Sequence, residues 1–336
     1  MTITIREFGS FNGSCVDQFT LKSDTGVEVD IIGYGVVVRD WRVPVAGGMR
    51  SVVLGFDNFA DYAAHSPHFG SLAGRVANRT SGGGFTLDGR RYALAANEGG
   101  NMLHGGPEGL GRQVWAGEVD NAANAVRFSF TSPDGAMGFP GKVDFAATYR
   151  LHGNRLKLEL TGRPDRRTPI SLVQHQYFNL GTSDDVLDHH VTINASARSE
   201  VGADLIPTGA ILPVKGGVYD LSGGRTLRDA AGKPIDYDLN LVLATGRNHA
   251  EPFASVRGPD GVLTLKLWSD RPAVQLYDGV WTDVPVPGLG GRRYGKYSGL
   301  CLEDQMYPDA LNQPHFPSII VSPDQPYRHW CEFEIG

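Results

Sequence analysis

Four short segments set ionisable or amide side chains among glycine and apolar neighbours. They are 70–79 (GSLAGRVANR), 101–106 (NMLHGG), 173–181 (VQHQYFNLG) and 299–310 (GLCLEDQMYPDA). A polar group in such surroundings is costly unless it finds a partner, so each is a bonded core residue or a site residue. His175 and Glu303 matter most, because an imidazole and a carboxylate can pass protons in complementary directions. Singly, each has a plainer reading. His175 lies among Leu172, Val173, Tyr177 and Phe178, as a core histidine bonded to a carbonyl would. Glu303 follows Leu300-Cys301-Leu302 and can pair with an arginine such as Arg79. His104, before Gly105-Gly106, can support a turn, and Arg75 and Arg79 can pair with surface acids.

Other chemistries lack their residues. The chain has 10 histidines, but His189-His190 are neighbours whose side chains leave a strand on opposite faces. There is no H-E-x-x-H and no cysteine cluster, so no metal is expected. No G-x-S-x-G elbow offers a serine nucleophile. No G-x-x-x-x-G-K-[ST] or strand-linked G-x-G-x-x-G offers a phosphate cradle, so no cofactor is expected.

The elements that must carry these residues are strands. Val126, Phe128 and Phe130 alternate with polar residues, as do Val143 to Leu151, Leu156 to Leu160 and Leu263 to Leu267. That period of two marks strands with one face to the core. Asp88-Gly89 and Gly153-Asn154 are hairpin pairs. Glycine (44) and proline (20) approach a fifth of the 336 residues, so turns are many. The one helical signal is 57–64 (DNFADYAA), capped by Asp57 or Asn58. No linker or repeat divides the chain, which points to an all-β fold: one large antiparallel β-sandwich, a single domain over 1–336.

A net charge of −6 argues against nucleic-acid or anionic-membrane partners. Three scattered cysteines suit a reducing compartment, and there is neither a secretion signal nor an apolar run long enough for a spanning helix. The expected location is cytoplasmic.

Together the four segments resemble the aldose 1-epimerase (galactose mutarotase) family. The pieces that carry the resemblance are 74–79 (GRVANR), 101–106 (NMLHGG), 175–180 (HQYFNL), 301–305 (CLEDQ) and 307–310 (YPDA). Secondary ones are 132–135 (SPDG), 138–141 (GFPG), 206–209 (IPTG) and 272–277 (PAVQLY). The resemblance implies a galactose mutarotase-like β-supersandwich and cofactor-free interconversion of the α and β anomers of free aldoses. It implies His175 as general acid and Glu303 as general base. Asn78, Arg79, His104, Tyr177, Asp238 and Gln275 would line the sugar site, with a monosaccharide as the small-molecule partner. The chain departs from the family at Leu239, where a histidine is usual between Asp238 and Asn240, and at Ser171 and Gln174, where asparagines are common.

That chemistry opens the ring: a base takes the C1 hydroxyl proton while an acid protonates the ring oxygen. Rotation about C1–C2 and the reverse transfers give the other anomer. An acid and a base on opposite sides of the hemiacetal would suffice, with Glu303 ionised and the His175 pKa raised by its neighbour's charge. Phe69 or Trp281 would stack on the sugar. The loop 284–296 would rim the pocket. Alternative readings are a sugar-binding or regulatory protein on the same scaffold and a glycoside hydrolase using Asp238 and Glu303. A variant for phosphorylated sugars would use Arg163, Arg166 and Arg167, or Arg292, Arg293 and Lys296.

Overall fold

Hairpins build the molecule. Val143–His152 pairs antiparallel with Arg155–Pro164 through the Gly153-Asn154 turn, and Leu151 faces Leu156. Phe145, Tyr149, Leu156, Leu158 and Leu160 are buried, while Arg150, Arg155 and Arg163 face outward. The Asp88-Gly89 pair likewise closes the hairpin of Gly84–Leu87 and Arg90–Ala93. The computed structural model describes residues 2–336.

These hairpins merge into an eight-stranded antiparallel sheet. Its order is Ala116–Asp120, Ala125–Ser132, Val143–His152, Arg155–Pro164, Tyr327–Ile335, Thr264–Ser269, Ala254–Arg257 and His190–Ile193. The last strand of the chain therefore lies inside this sheet. A five-stranded sheet follows the order Pro207–Pro213, Ala195–Val201, Asp238–Leu243, Ala273–Tyr277 and Cys301–Gln305. A second five-stranded meander runs from Thr4 to Ser51. One apolar cluster draws on all three sheets, including Ile31, Trp41, Phe128, Tyr149, Leu158, Leu241, Val274, Leu276 and Phe333. Burial of these inward faces drives sheet to pack on sheet.

Two strands break the half-exposed pattern. Cys301–Gln305 is buried along its whole length, and Ala273–Tyr277 almost so. Val274, Leu276 and Leu302 face the apolar cluster. Gln275, Glu303 and Gln305, on the alternate positions, must then share the opposite face. That polar yet covered face is where the site forms.

The single α-helix among the described residues, Phe59–His65, is capped by Asn58, whose side chain accepts from the Asp61 N–H at 3.0 Å. The loop 284–296 is tied down rather than forming a pocket rim. Val284, Leu289 and Tyr294 are buried, and the Tyr294 hydroxyl accepts from the Leu289 N–H at 3.1 Å. Among the described residues, no helix is long and apolar enough to cross a membrane.

Candidate active site

The four segments meet at one cavity of about 240 Å³, on the polar face of the Cys301–Gln305 strand. Backbone pairing brings them there. Val173–Gln174 pairs with Leu72–Ala73, and the next residue, His175, donates its N–H to Ser71 O at 2.9 Å. Its carbonyl accepts from the Gly70 N–H at 2.9 Å. On the far side, Phe178 and Leu300 exchange hydrogen bonds at 2.7 and 2.9 Å. The 173–181 segment is thereby stitched between the first and fourth segments. Gly70 is required for this approach: its φ is +63°, and a Cβ there would lie 2.3 Å from Val38 O.

The second segment locks onto the first. Arg79–Thr80 pairs with Met102–Leu103. Asn78 donates its N–H to His104 Nδ1 at 3.2 Å, and His104 returns its own N–H to Asn78 O at 3.1 Å. Because Nδ1 accepts, Nε2 carries the hydrogen, which makes His104 a neutral donor. Gly105 permits the turn that follows. Its φ is +85°, and a Cβ would lie 1.9 Å from Gly74 O.

The eight expected site residues, His175, Glu303, Asn78, Arg79, His104, Tyr177, Asp238 and Gln275, all line this cavity. His175 Nε2 lies 3.5 Å from Glu303 Oε1. The other carboxylate oxygen, Glu303 Oε2, is buried without a hydrogen-bond partner. One donor atom each of His104, His175 and Glu303 falls within 4.8 Å of the other two. This trio is poorly suited to a cation, because the His104 Nδ1 lone pair is engaged and its Nε2 is protonated. Gln275 lies opposite Glu303 in register and donates to Asp238 Oδ1 at 2.6 Å. Arg79 grips Glu98, not Glu303, in a two-point ion pair at 2.7 and 2.9 Å. The Tyr177 hydroxyl donates to Pro67 O at 2.8 Å, so its ring rather than its hydroxyl is offered to a ligand.

The structure reverses the protonation expected from the sequence. Burial lowers the His175 pKa to about 3 and raises that of Glu303 well above the usual carboxylate range. Desolvation outweighs the attraction between opposite charges, so both groups favour their neutral forms. The pair nevertheless holds the same single transferable proton as an imidazolium–carboxylate pair, moved from nitrogen to oxygen. The two groups also sit side by side rather than on opposite sides of a ligand. This suffices, because the C1 hydroxyl and the ring oxygen are bonded to the same carbon.

Other expectations are corrected. Phe69 is fully buried behind Tyr177, edge-on at 4.8 Å, and belongs to the core. Trp281, by contrast, does line the cavity and is 70% exposed, as a residue at its rim would be. None of Arg163, Arg166, Arg167, Arg292, Arg293 and Lys296 lines the cavity. Leu239, where the family often has histidine, is buried in the apolar cluster. The sequence reading missed His68, Glu98 and Tyr277, which also line the cavity. His68 could have been flagged as a histidine two residues before the first glycine of 70–79; nothing in the sequence around Glu98 marks it.

Fold and cavity define a class: an antiparallel β-sandwich enzyme with a buried imidazole–carboxylate pair in a polar, monosaccharide-sized cavity. A family model described as aldose 1-epimerase matches residues 17–334. Galactose mutarotase of Bos taurus is 38% identical over 347 aligned residues, covering 100% of both chains. Aldose 1-epimerase of Escherichia coli K12 is 30% identical, covering 94% of each. The crystal structure of an aldose epimerase homologue from C. elegans superposes with a TM-score of 0.89 at 26% identity, covering 95% of this chain and 98% of that one. This chain belongs to the aldose 1-epimerase family, and its fold is that of the galactose mutarotase-like proteins.

Proposed function

We propose that His175 and Glu303 are the proton-transfer pair with which this enzyme interconverts the α and β anomers of a free aldose. Membership of the family makes the chain an isomerase acting on a monosaccharide. The observation that carries the assignment of the pair is their contact, 3.5 Å from Nε2 to Oε1, on the wall of the one cavity where all four segments meet.

Glu303 Oε2 is an unsatisfied buried acceptor, and the C1 hydroxyl of a docked sugar supplies the missing donor. That hydrogen bond favours the carboxylate, so the shared proton shifts to His175 as the sugar binds. Glu303 then takes the C1 hydroxyl proton while His175 protonates the ring oxygen. The C1–ring-oxygen bond breaks and the aldehyde forms. After rotation about C1–C2, His175 recovers its proton, Glu303 returns its own, and the ring closes on the other face. Only protons pass between the protein and the sugar, and no oxidation state changes overall, so the scheme calls for no cofactor. His104 Nε2–H, Asn78 and Arg79 donate to sugar oxygens, and Asp238 and Gln275 hold hydroxyls farther round the ring.

The hydrolase alternative finds no support. Asp238 is committed to Gln275, and Glu303 faces an imidazole rather than a second carboxylate across a bond to be cleaved. We further propose that 1–336 acts as one domain, because a single apolar cluster runs from Ile3 to Ile335. Its three unpaired cysteines suit the cytoplasm.

The test is polarimetric relaxation of freshly dissolved α-glucose and α-galactose. Glu303→Gln and His175→Asn should each lower kcat by about 10²–10⁴-fold with little change in KM. Wild-type relaxation in either variant removes that residue from the pair.

A further inference from the structure

The proton-transfer scheme uses one edge of the His175 ring and leaves the other unexplained. Nε2 faces Glu303 Oε1 at 3.5 Å, and Nδ1 lies 3.5 Å from Cys301 Sγ. Cys301 and Glu303 stand two residues apart on one strand, so their side chains leave it on the same face. A single strand thus holds both edges of the imidazole. Two near-parallel rings flank it: Tyr177 at 5.0 Å with a 16° tilt and His68 at 5.8 Å with a 22° tilt. Cys301 is fully buried and does not line the sugar cavity, and the polar side-chain atom its sulfur meets is His175 Nδ1.

A neutral imidazole has one hydrogen to place. Nε2 faces Glu303, whose neutral form donates, so the hydrogen of the imidazole belongs on Nδ1. With the hydrogen on Nδ1, the sulfur is its acceptor and the Nε2 lone pair is turned to Glu303. Burial and the neighbouring carboxylates push the Cys301 thiol well above its usual range, so it stays uncharged. An uncharged sulfur orients the ring without favouring imidazolium, as a carboxylate in its place would.

We propose that Cys301 is a positioning residue that holds the His175 ring by its Nδ1 edge, so that Nε2 is presented to Glu303 and to the sugar. The inference rests on the reading of His175 and Glu303 as the proton-transfer pair.

Cys301→Ser keeps a polar acceptor of similar size, and Cys301→Ala removes it. The Ala variant should lose about tenfold in kcat with KM within about twofold, and the Ser variant should stay within about threefold of wild type. Nitrogen NMR of 15N-histidine-labelled protein should show His175 protonated at Nδ1 in wild type and Ser, and a mixture of tautomers in Ala. Equal losses in Ser and Ala, no loss in Ala, or a wild-type ring protonated at Nε2 would each overturn the proposal. If the Ala variant does not fold, the wild-type spectrum decides. His175→Asn is assayed alongside. Wild-type turnover there defeats the proton-transfer pair itself, whereas an inactive His175→Asn beside an unaffected Cys301→Ala defeats only the positioning role.

Discussion

On the proposed assignment, the proton shared by His175 and Glu303 determines how activity follows pH. An exposed histidine titrates near 6.5, and an enzyme that needed a preformed imidazolium would lose activity as pH rose through that value. Here burial lowers His175 to about 3 and raises Glu303. The one-proton state of the pair therefore spans the range from acid to neutral pH. A second proton is taken up only far below 6.5. We expect kcat/KM to hold from pH 7 down to about 5 with no inflection near 6.5. A limb centred at 6.5 in the measured profile would mean that a solvated histidine, not this pair, controls the reaction.

At the scale of elements, three adjacent strands set the polar face of the cavity. Gln275 lies opposite Glu303, and Asn240 lies opposite Gln275. Gln305 Nε2 donates to Asn240 Oδ1 at 3.0 Å and to Gln275 Oε1 at 3.3 Å. The Gln275 amide is thus held at its oxygen by Gln305 while its nitrogen holds Asp238 at 2.6 Å. Truncating it takes one hydrogen bond from the half-buried Asp238 carboxyl and one from the buried Gln305 amide, which keeps its bond to Asn240, a loss of about 1–3 kcal/mol. Gln275→Ala should therefore lower kcat/KM by about tenfold to a hundredfold, mainly through KM, because the role proposed for the affected groups is to bind hydroxyls, not to transfer protons. A steady-state assay that finds KM unchanged would show that the ladder is packing alone.

For the molecule as a whole, the covered polar groups link stability to pH. His68, His175 and His189 are lowered from 6.5 to about 4, 3 and 4 by burial, and His104 is also lowered. Below 6.5 the unfolded chain takes up protons that the folded chain refuses, so stability falls as pH drops. Asp278 works in the opposite sense. Burial raises it from 3.8 to about 7, so the folded chain keeps a proton that the unfolded chain releases, and stability falls as pH rises through that range. Glu303 acts the same way. The two trends oppose each other up to 6.5, and only the acids act above it. Tm should peak near pH 6.5, and Asp278→Asn, which removes the titrating group, should flatten the fall above that pH. Thermal melts from pH 5 to 8 check both; a Tm still rising through pH 8 would contradict the burial of these acids.

What could be known from the chain alone follows from how local each signal is. Alternation along 143–151 and 156–160, the two hairpin pairs and the cap at Asn58 depend on neighbours in sequence, and the strands and helix form there. The four segments hold six of the eight cavity residues, and the family resemblance they carry adds Asp238 and Gln275. Which side chains touch was another matter. The partner of Arg79 is Glu98 rather than Glu303, and the presence of His68 at the cavity depends on a backbone turn with φ of +75°. The proton's resting place, too, was decided by tertiary structure. Sequence shows an imidazole and a carboxylate. Only the packing of sheet on sheet, which strips water from both, sets desolvation above their mutual attraction and makes the pair neutral.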